Sequence, residues 1–105
     1  MSVPYVTELS EFQTIISQNY KVAVDFTASW CGPCKMIGPK FEEMAADSTY
    51  SRWKFIKVDI DDGEEIASEL NIQAMPTFMF YVNGKLANQF SGANEASLTQ
   101  NLNTL

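Results

Sequence analysis

The chain has 105 residues, the size of one compact domain, and 46% of them are hydrophobic, enough for a core that needs no disulfide staples. Seven Lys and Arg stand against thirteen Asp and Glu, a formal net charge of −6, which argues against DNA, RNA or an anionic membrane as the main partner. No run of about 18 apolar residues is present to read as a membrane-spanning helix. The start, Met1-Ser2-Val3-Pro4-Tyr5, shows neither a secretory signal nor an Arg-rich transit pattern.

In chain order, a short strand is expected near residues 3–6. Thr7 can cap a helix that places Leu9, Phe12, Ile15 and Ile16 on one face. Residues 22–27 are β-branched and aromatic, the content of a buried strand. From Cys31 onward, Cys34, Ile37, Phe41 and Met44 recur at helical spacing, with Pro39 expected to kink the helix. Residues 55–60 alternate as a strand, and Ile66 and Leu70 mark a short acidic helix. Residues 77–82 form another apolar run, and Asn83-Gly84 is a two-residue hairpin signal leading into residues 86–90. Asn94 can cap a last helix carrying Leu98, Leu102 and Leu105. No repeat, linker or low-complexity tract interrupts this order. The expectation is therefore one domain over residues 1–105, an α/β sandwich with a mixed central sheet.

The two cysteines form one C-x-x-C pair, and histidine is absent. Secreted small domains usually carry more cysteines at wider spacing, so the pair fits a reducing compartment where thiols react. Cys31 falls where the second helix begins. Unpaired N–H groups and the helix dipole stabilise an anion there, and the thiolate is the nucleophile. Cys34 follows one turn later, expected to be more deeply set. Pro33 stiffens the loop, and Gly32 lets another backbone approach. A structural zinc site would need about four N or S ligands, which only a bridged dimer could supply. A purely structural disulfide around so short a loop would contribute only about 2 kcal/mol.

The segment Trp30-Cys31-Gly32-Pro33-Cys34-Lys35 resembles the active-site motif of the thioredoxin family. The likeness runs on through Asp25-Phe26, Lys57-Val58-Asp59, Met75-Pro76-Thr77-Phe78, Asn83-Gly84 and Gly92-Ala93. It implies a thioredoxin fold, with a sheet of about five strands flanked by four helices. It also implies a protein disulfide reductase without a bound cofactor or metal. In that scheme Cys31 attacks a client disulfide and Cys34 resolves the mixed disulfide. The resemblance places Asp25 beneath Cys34 as a general acid/base and brings Lys57 close enough to tune it. It makes Met75-Pro76 a cis segment against the cysteines, with Trp30, Gly92 and Ala93 flanking the substrate groove. The implied partners are a flavin- and NADPH-carrying thioredoxin reductase and clients such as peroxiredoxins, methionine sulfoxide reductases and ribonucleotide reductase. A cytoplasmic monomer is expected.

The residues alone leave other readings open. Asp25 could be a half-exposed strand-edge carboxylate, Lys57 a solvated lysine, Trp30 a core residue, and Met75-Pro76 simply a strand start. Glutaredoxin or disulfide isomerase activity is set apart by the inner dipeptide, since Gly32-Pro33 is the thioredoxin version. A non-catalytic binding module would not need both thiols. The stretch 46–53 is longer and more polar than the family pattern before the central strand. No further cysteine is present for regulation or dimerisation through added thiols.

Overall fold

Four extended runs pair into one mixed sheet in the computed structural model, which describes residues 3–105. Met1 and Ser2, part of the reading of the chain's start, lie outside the described residues. The strands are β1 (Lys21–Thr27), β2 (Trp53–Asp59), β3 (Thr77–Val82) and β4 (Lys85–Ser91), in the order β2-β1-β3-β4. β1 and β2 run parallel, joined through helix α2 (Gly32–Ala46), while β1–β3 and β3–β4 are antiparallel. The other helices are α1 (Leu9–Gln18), α3 (Glu64–Glu69) and α4 (Glu95–Thr104).

Central position explains why β1 reads as a nearly continuous apolar run: five of its seven residues are buried. Its side chains alternate between two cores. Val22, Val24 and Phe26 pack with Phe12 and Ile16 of α1 and Ile66 of α3. Ala23 packs on the other face with Ile37, Phe41 and Met44 of α2 and Leu98 and Leu102 of α4. Aromatic rings knit the second core, with Phe41 against Phe55 at 5.3 Å and Phe78 against Phe90 at 5.2 Å between centroids. By the two-residue period of a strand, Asp25 shares the face of Ala23, and Lys57 shares the face of Phe55. Both therefore point toward α2.

The expected elements are present, with local differences. Residues 3–6 give an isolated parallel bridge, Tyr5 to Lys57, rather than a fifth strand. Pro4 interrupts this edge, since proline has no N–H to extend a ladder. Helix α1 starts after Glu8, not Thr7, and no side chain caps it. Helix α2 continues through Pro39. The polar stretch after it folds into a 3-10 turn, Ser48–Tyr50, capped by Asp47 through the Thr49 N–H. Asn83 and Gly84 both take positive φ, 56° and 83°, the backbone of a two-residue hairpin turn. Asn94 caps α4 by accepting from the Ser97 N–H at 3.0 Å.

Candidate active site

Cys31 occupies the N-cap of α2, where serine or aspartate often sits in other helices. Its Sγ accepts from the Cys34 N–H at 3.2 Å, and Pro33 in the first turn needs no partner for a missing N–H. A disulfide joins Cys31 and Cys34, whose Cα atoms are 5.3 Å apart. The expected difference in depth does not appear as exposed area: Cys31 is 5% and Cys34 4% exposed. The bonded sulfurs pack together with Ala28, against Ile60 and Met75. The two differ in what they face. Cys34, but not Cys31, lines a cleft of about 730 Å³ that also reaches Asp25, Glu42 and Lys57.

Asp25 is a carboxylic acid in an apolar place. Only 2% of it is exposed, on the central strand rather than a sheet edge, and its Oδ1 has no hydrogen-bond partner among the described residues. Burial pushes its pKa up to about 7, against the pull of the Lys57 ammonium and with a further push from Glu42. Lys57 is a β-sheet neighbour of Asp25 and is itself buried, not solvated. Its ammonium is bound by Glu42, at 2.7 Å from Oε2. Among the described residues, no Lys57–Asp25 ion pair lies within 4.0 Å.

Glu42 was not among the residues singled out from the sequence. Its other oxygen accepts the Val3 N–H at 2.9 Å. Burial raises its pKa, but hydrogen bonds from Lys57 and Val3, with the Lys57 charge, hold it below the usual carboxylate range. Spacing gave a faint signal: Cys34, Gly38 and Glu42 recur every four residues along one face of α2.

Trp30 is 64% exposed and thus not a core residue. Its indole N–H donates to Asp61 Oδ2 at 3.0 Å, an anchor 31 residues away that no local pattern marks. Met75-Pro76 is a cis peptide, with Pro76 buried and Met75 packed beside the cysteines. Gly92, at φ 100°, donates its N–H to the Pro76 carbonyl at 2.9 Å, which ties the 92–93 loop to this segment. Ala93 lines a shallow cleft with Met36, which is 76% exposed. Gly32 and Pro33 are exposed at the start of α2.

The family model for thioredoxin matches residues 3–104. The chain belongs to the thioredoxin family. It is 50% identical over 96 residues to thioredoxin-1 of Schizosaccharomyces pombe, covering 91% of each chain. The thioredoxin of Plasmodium falciparum, a solved structure, superposes with a TM-score of 0.90 at 48% identity, covering 96% of this chain and 97% of that one. A structure from work on the thiol resolving mechanism of yeast mitochondrial 1-Cys peroxiredoxin via glutathione/thioredoxin systems superposes at 0.93 with 38% identity. It covers 99% of this chain and 96% of that one. As a thioredoxin, the chain is a thiol–disulfide oxidoreductase; the family acts on disulfide clients and is reduced by thioredoxin reductase.

Proposed function

We propose that the chain works as one thioredoxin domain over residues 1–105, with Cys31 as nucleophile, Cys34 as resolving thiol and Asp25 as the acid/base that serves Cys34. The observation carrying this assignment is the asymmetry of the pair. Cys31 caps a helix N-terminus, while Cys34 lines the cleft that reaches a buried carboxyl oxygen with no partner among the described residues.

In the reducing direction, the Cys31 thiolate attacks one sulfur of a client disulfide. The client's other sulfur leaves as thiolate, and a mixed disulfide forms. Helix N–H groups favour the attacking anion. Asp25 carboxylate then takes the Cys34 proton through water in the cleft. The Cys34 thiolate attacks Cys31 Sγ, the bond from Cys31 to the client breaks, and the client sulfur held there leaves as a thiolate. Two electrons pass from the dithiol to the client, and the Cys31–Cys34 disulfide remains for the reductase to reduce. With a pKa near 7, Asp25 can both take and return a proton at neutral pH.

Trp30, Gly32, Pro33, Met75, Pro76, Gly92 and Ala93 form the client groove. Two features support this: Trp30 is an exposed aromatic anchor, and Met75 carries no backbone–backbone hydrogen bond among the described residues. An extended client segment can pair there by strand addition. Lys57 modulates Asp25 from the neighbouring strand. Peroxiredoxins are the client class we favour, because one close structural neighbour comes from work on peroxiredoxin thiol resolution. We place the protein in the cytoplasm as a monomer, since its lone C-x-x-C pair suits a reducing compartment.

Replacing Cys34 by Ser tests the division of roles. Incubation with a disulfide client should accumulate a mixed disulfide at Cys31, seen by mass spectrometry under non-reducing conditions. Normal turnover by Cys34→Ser, or a client linked at no cysteine, would contradict it.

A further inference from the structure

The cleft beneath Cys34 brings together Asp25, Glu42 and Lys57, yet the acid and the base that neighbour each other in the sheet are not paired. Asp25 and Lys57 stand side by side in β1 and β2. Lys57 Nζ instead bonds Glu42 Oε2 at 2.7 Å, reaching across to α2. Glu42 is fixed at its other oxygen by the Val3 N–H at 2.9 Å, so the N-terminal segment clamps it from above. That segment is secured in turn on Lys57 itself: Val6 N–H donates to the Lys57 carbonyl, and Lys57 N–H donates to that of Pro4. Asp25 Oδ1 is left without a hydrogen-bond partner among the described residues.

We propose that Glu42 is a positioning residue for the thiol exchange: it holds the Lys57 ammonium away from Asp25 and so sets the pH at which the Asp25 carboxyl gives and takes its proton. The proposal rests on the acid/base reading of Asp25 given above. Two effects act in the same direction. Glu42 contributes a fixed negative charge near Asp25, which disfavours a second anion. It also occupies the one cation that is buried among the described residues and could otherwise compensate that anion. The remaining charged and titratable groups on the cleft walls are Tyr5 from the N-terminal segment, Lys35 and Glu43 from α2, and Asp59 from β2. Glu43 is largely exposed and lies 4.0 Å from Lys40. From β3, Asp25 faces only Phe78. Among the described residues, Glu42 alone touches the Lys57 ammonium as a carboxylate. Its own charge persists at neutral pH, because Lys57 and Val3 hold its pKa low.

Glu42→Gln removes the charge and keeps the shape. Titration of the Asp25 carboxyl carbon by 13C NMR in the oxidised protein should show the midpoint falling by about one unit. In a Lys57→Met background the same substitution should shift it less than half as far, since no ammonium is left to release. Where Glu42→Gln does not fold, Glu42→Leu keeps apolar contact under the N-terminal segment and should give the same downward shift. An unmoved Asp25 midpoint in a folded Glu42 variant overturns the proposal. So does a shift of equal size with and without Lys57. Asp25→Asn separates this outcome from failure of the reading beneath it. If the pH profile of client reduction flattens in Asp25→Asn while Glu42→Gln leaves the midpoint in place, only the role of Glu42 falls. If Asp25→Asn leaves the profile unchanged, the acid/base reading falls and the inference falls with it.

Discussion

Asp25 puts a titratable group where the fold would be more stable with an apolar one. Its folded pKa, about 7, lies above the ordinary value of 3.8 because burial disfavours the anion. Between those two values the native protein holds a proton that the unfolded chain has lost. Stability is therefore greatest below the unfolded pKa, falls as pH rises through this window, and levels off above the folded pKa. By linkage, the full loss amounts to about 4 kcal/mol. Asp25→Asn should abolish most of this dependence and unfold at higher urea than the wild type at pH 8. Urea unfolding of both oxidised proteins at pH 5 and pH 8 checks it; parallel losses with rising pH would refute it. The oddity of Asp25 is visible in the sequence, because an acid interrupts the apolar run Val22-Ala23-Val24-Asp25-Phe26. Glu42 offers no such contrast. It sits among Lys40 and Glu43 on a helix, and only the crossing N-terminal segment and the reach of Lys57 make it part of the site.

Periodicity carries well at the level of elements because each helix or strand repeats its burial pattern over several turns or pleats. The run 77–82 and the Asn94 cap could be read directly for this reason. The N-terminal strand could not, since Val3-Pro4-Tyr5-Val6 has strand-like content but Pro4 leaves only a single bridge. Thr7 had the right chemistry for a cap one residue too early; the first turn of α1 begins with Phe12 N–H donating to the Glu8 carbonyl. Gly63 shows another kind of constraint that composition hides. It precedes α3, and a Cβ there would lie 2.9 Å from Val58 Cγ1 and 3.3 Å from the Asp59 carbonyl. The close approach lets α3 fold tightly after β2, with Gly63 N–H on the Asp59 carbonyl. Gly63→Ala should cost about 1–3 kcal/mol, because neither the fully buried, β-branched Val58 side chain nor the β2 backbone at Asp59 can yield as a long flexible side chain would. Thermal unfolding gives the readout, and an unchanged midpoint would show that the loop yields without cost.

In the whole molecule, the sheet divides the work between its two faces. One core locks α1 and α3 beneath β1, β2 and β3; the other sets α2 and α4 over the opposite side. Because α2 lies over the ends of β1 and β2, its N-terminus, Asp25 and Lys57 converge on one cleft. The cis Met75-Pro76 segment and the Gly92 loop enter from β3 and β4 on the disulfide's other flank. Such convergence is set by strand order and crossover, not by any local run, which is why the cysteine motif was evident in the sequence while the charge network beneath it was only partly so. The formal net charge of −6 is spread over a surface with few cations, consistent with protein clients rather than polyanions. All of these features serve one sulfur at a helix tip. The most direct test is the pH dependence of alkylation in the reduced protein, with each cysteine followed separately by mass spectrometry. Cys31 should react first, with a midpoint below the free-cysteine value of about 8.5. Preferential modification of Cys34, or a Cys31 midpoint at or above that of free cysteine, would contradict the account.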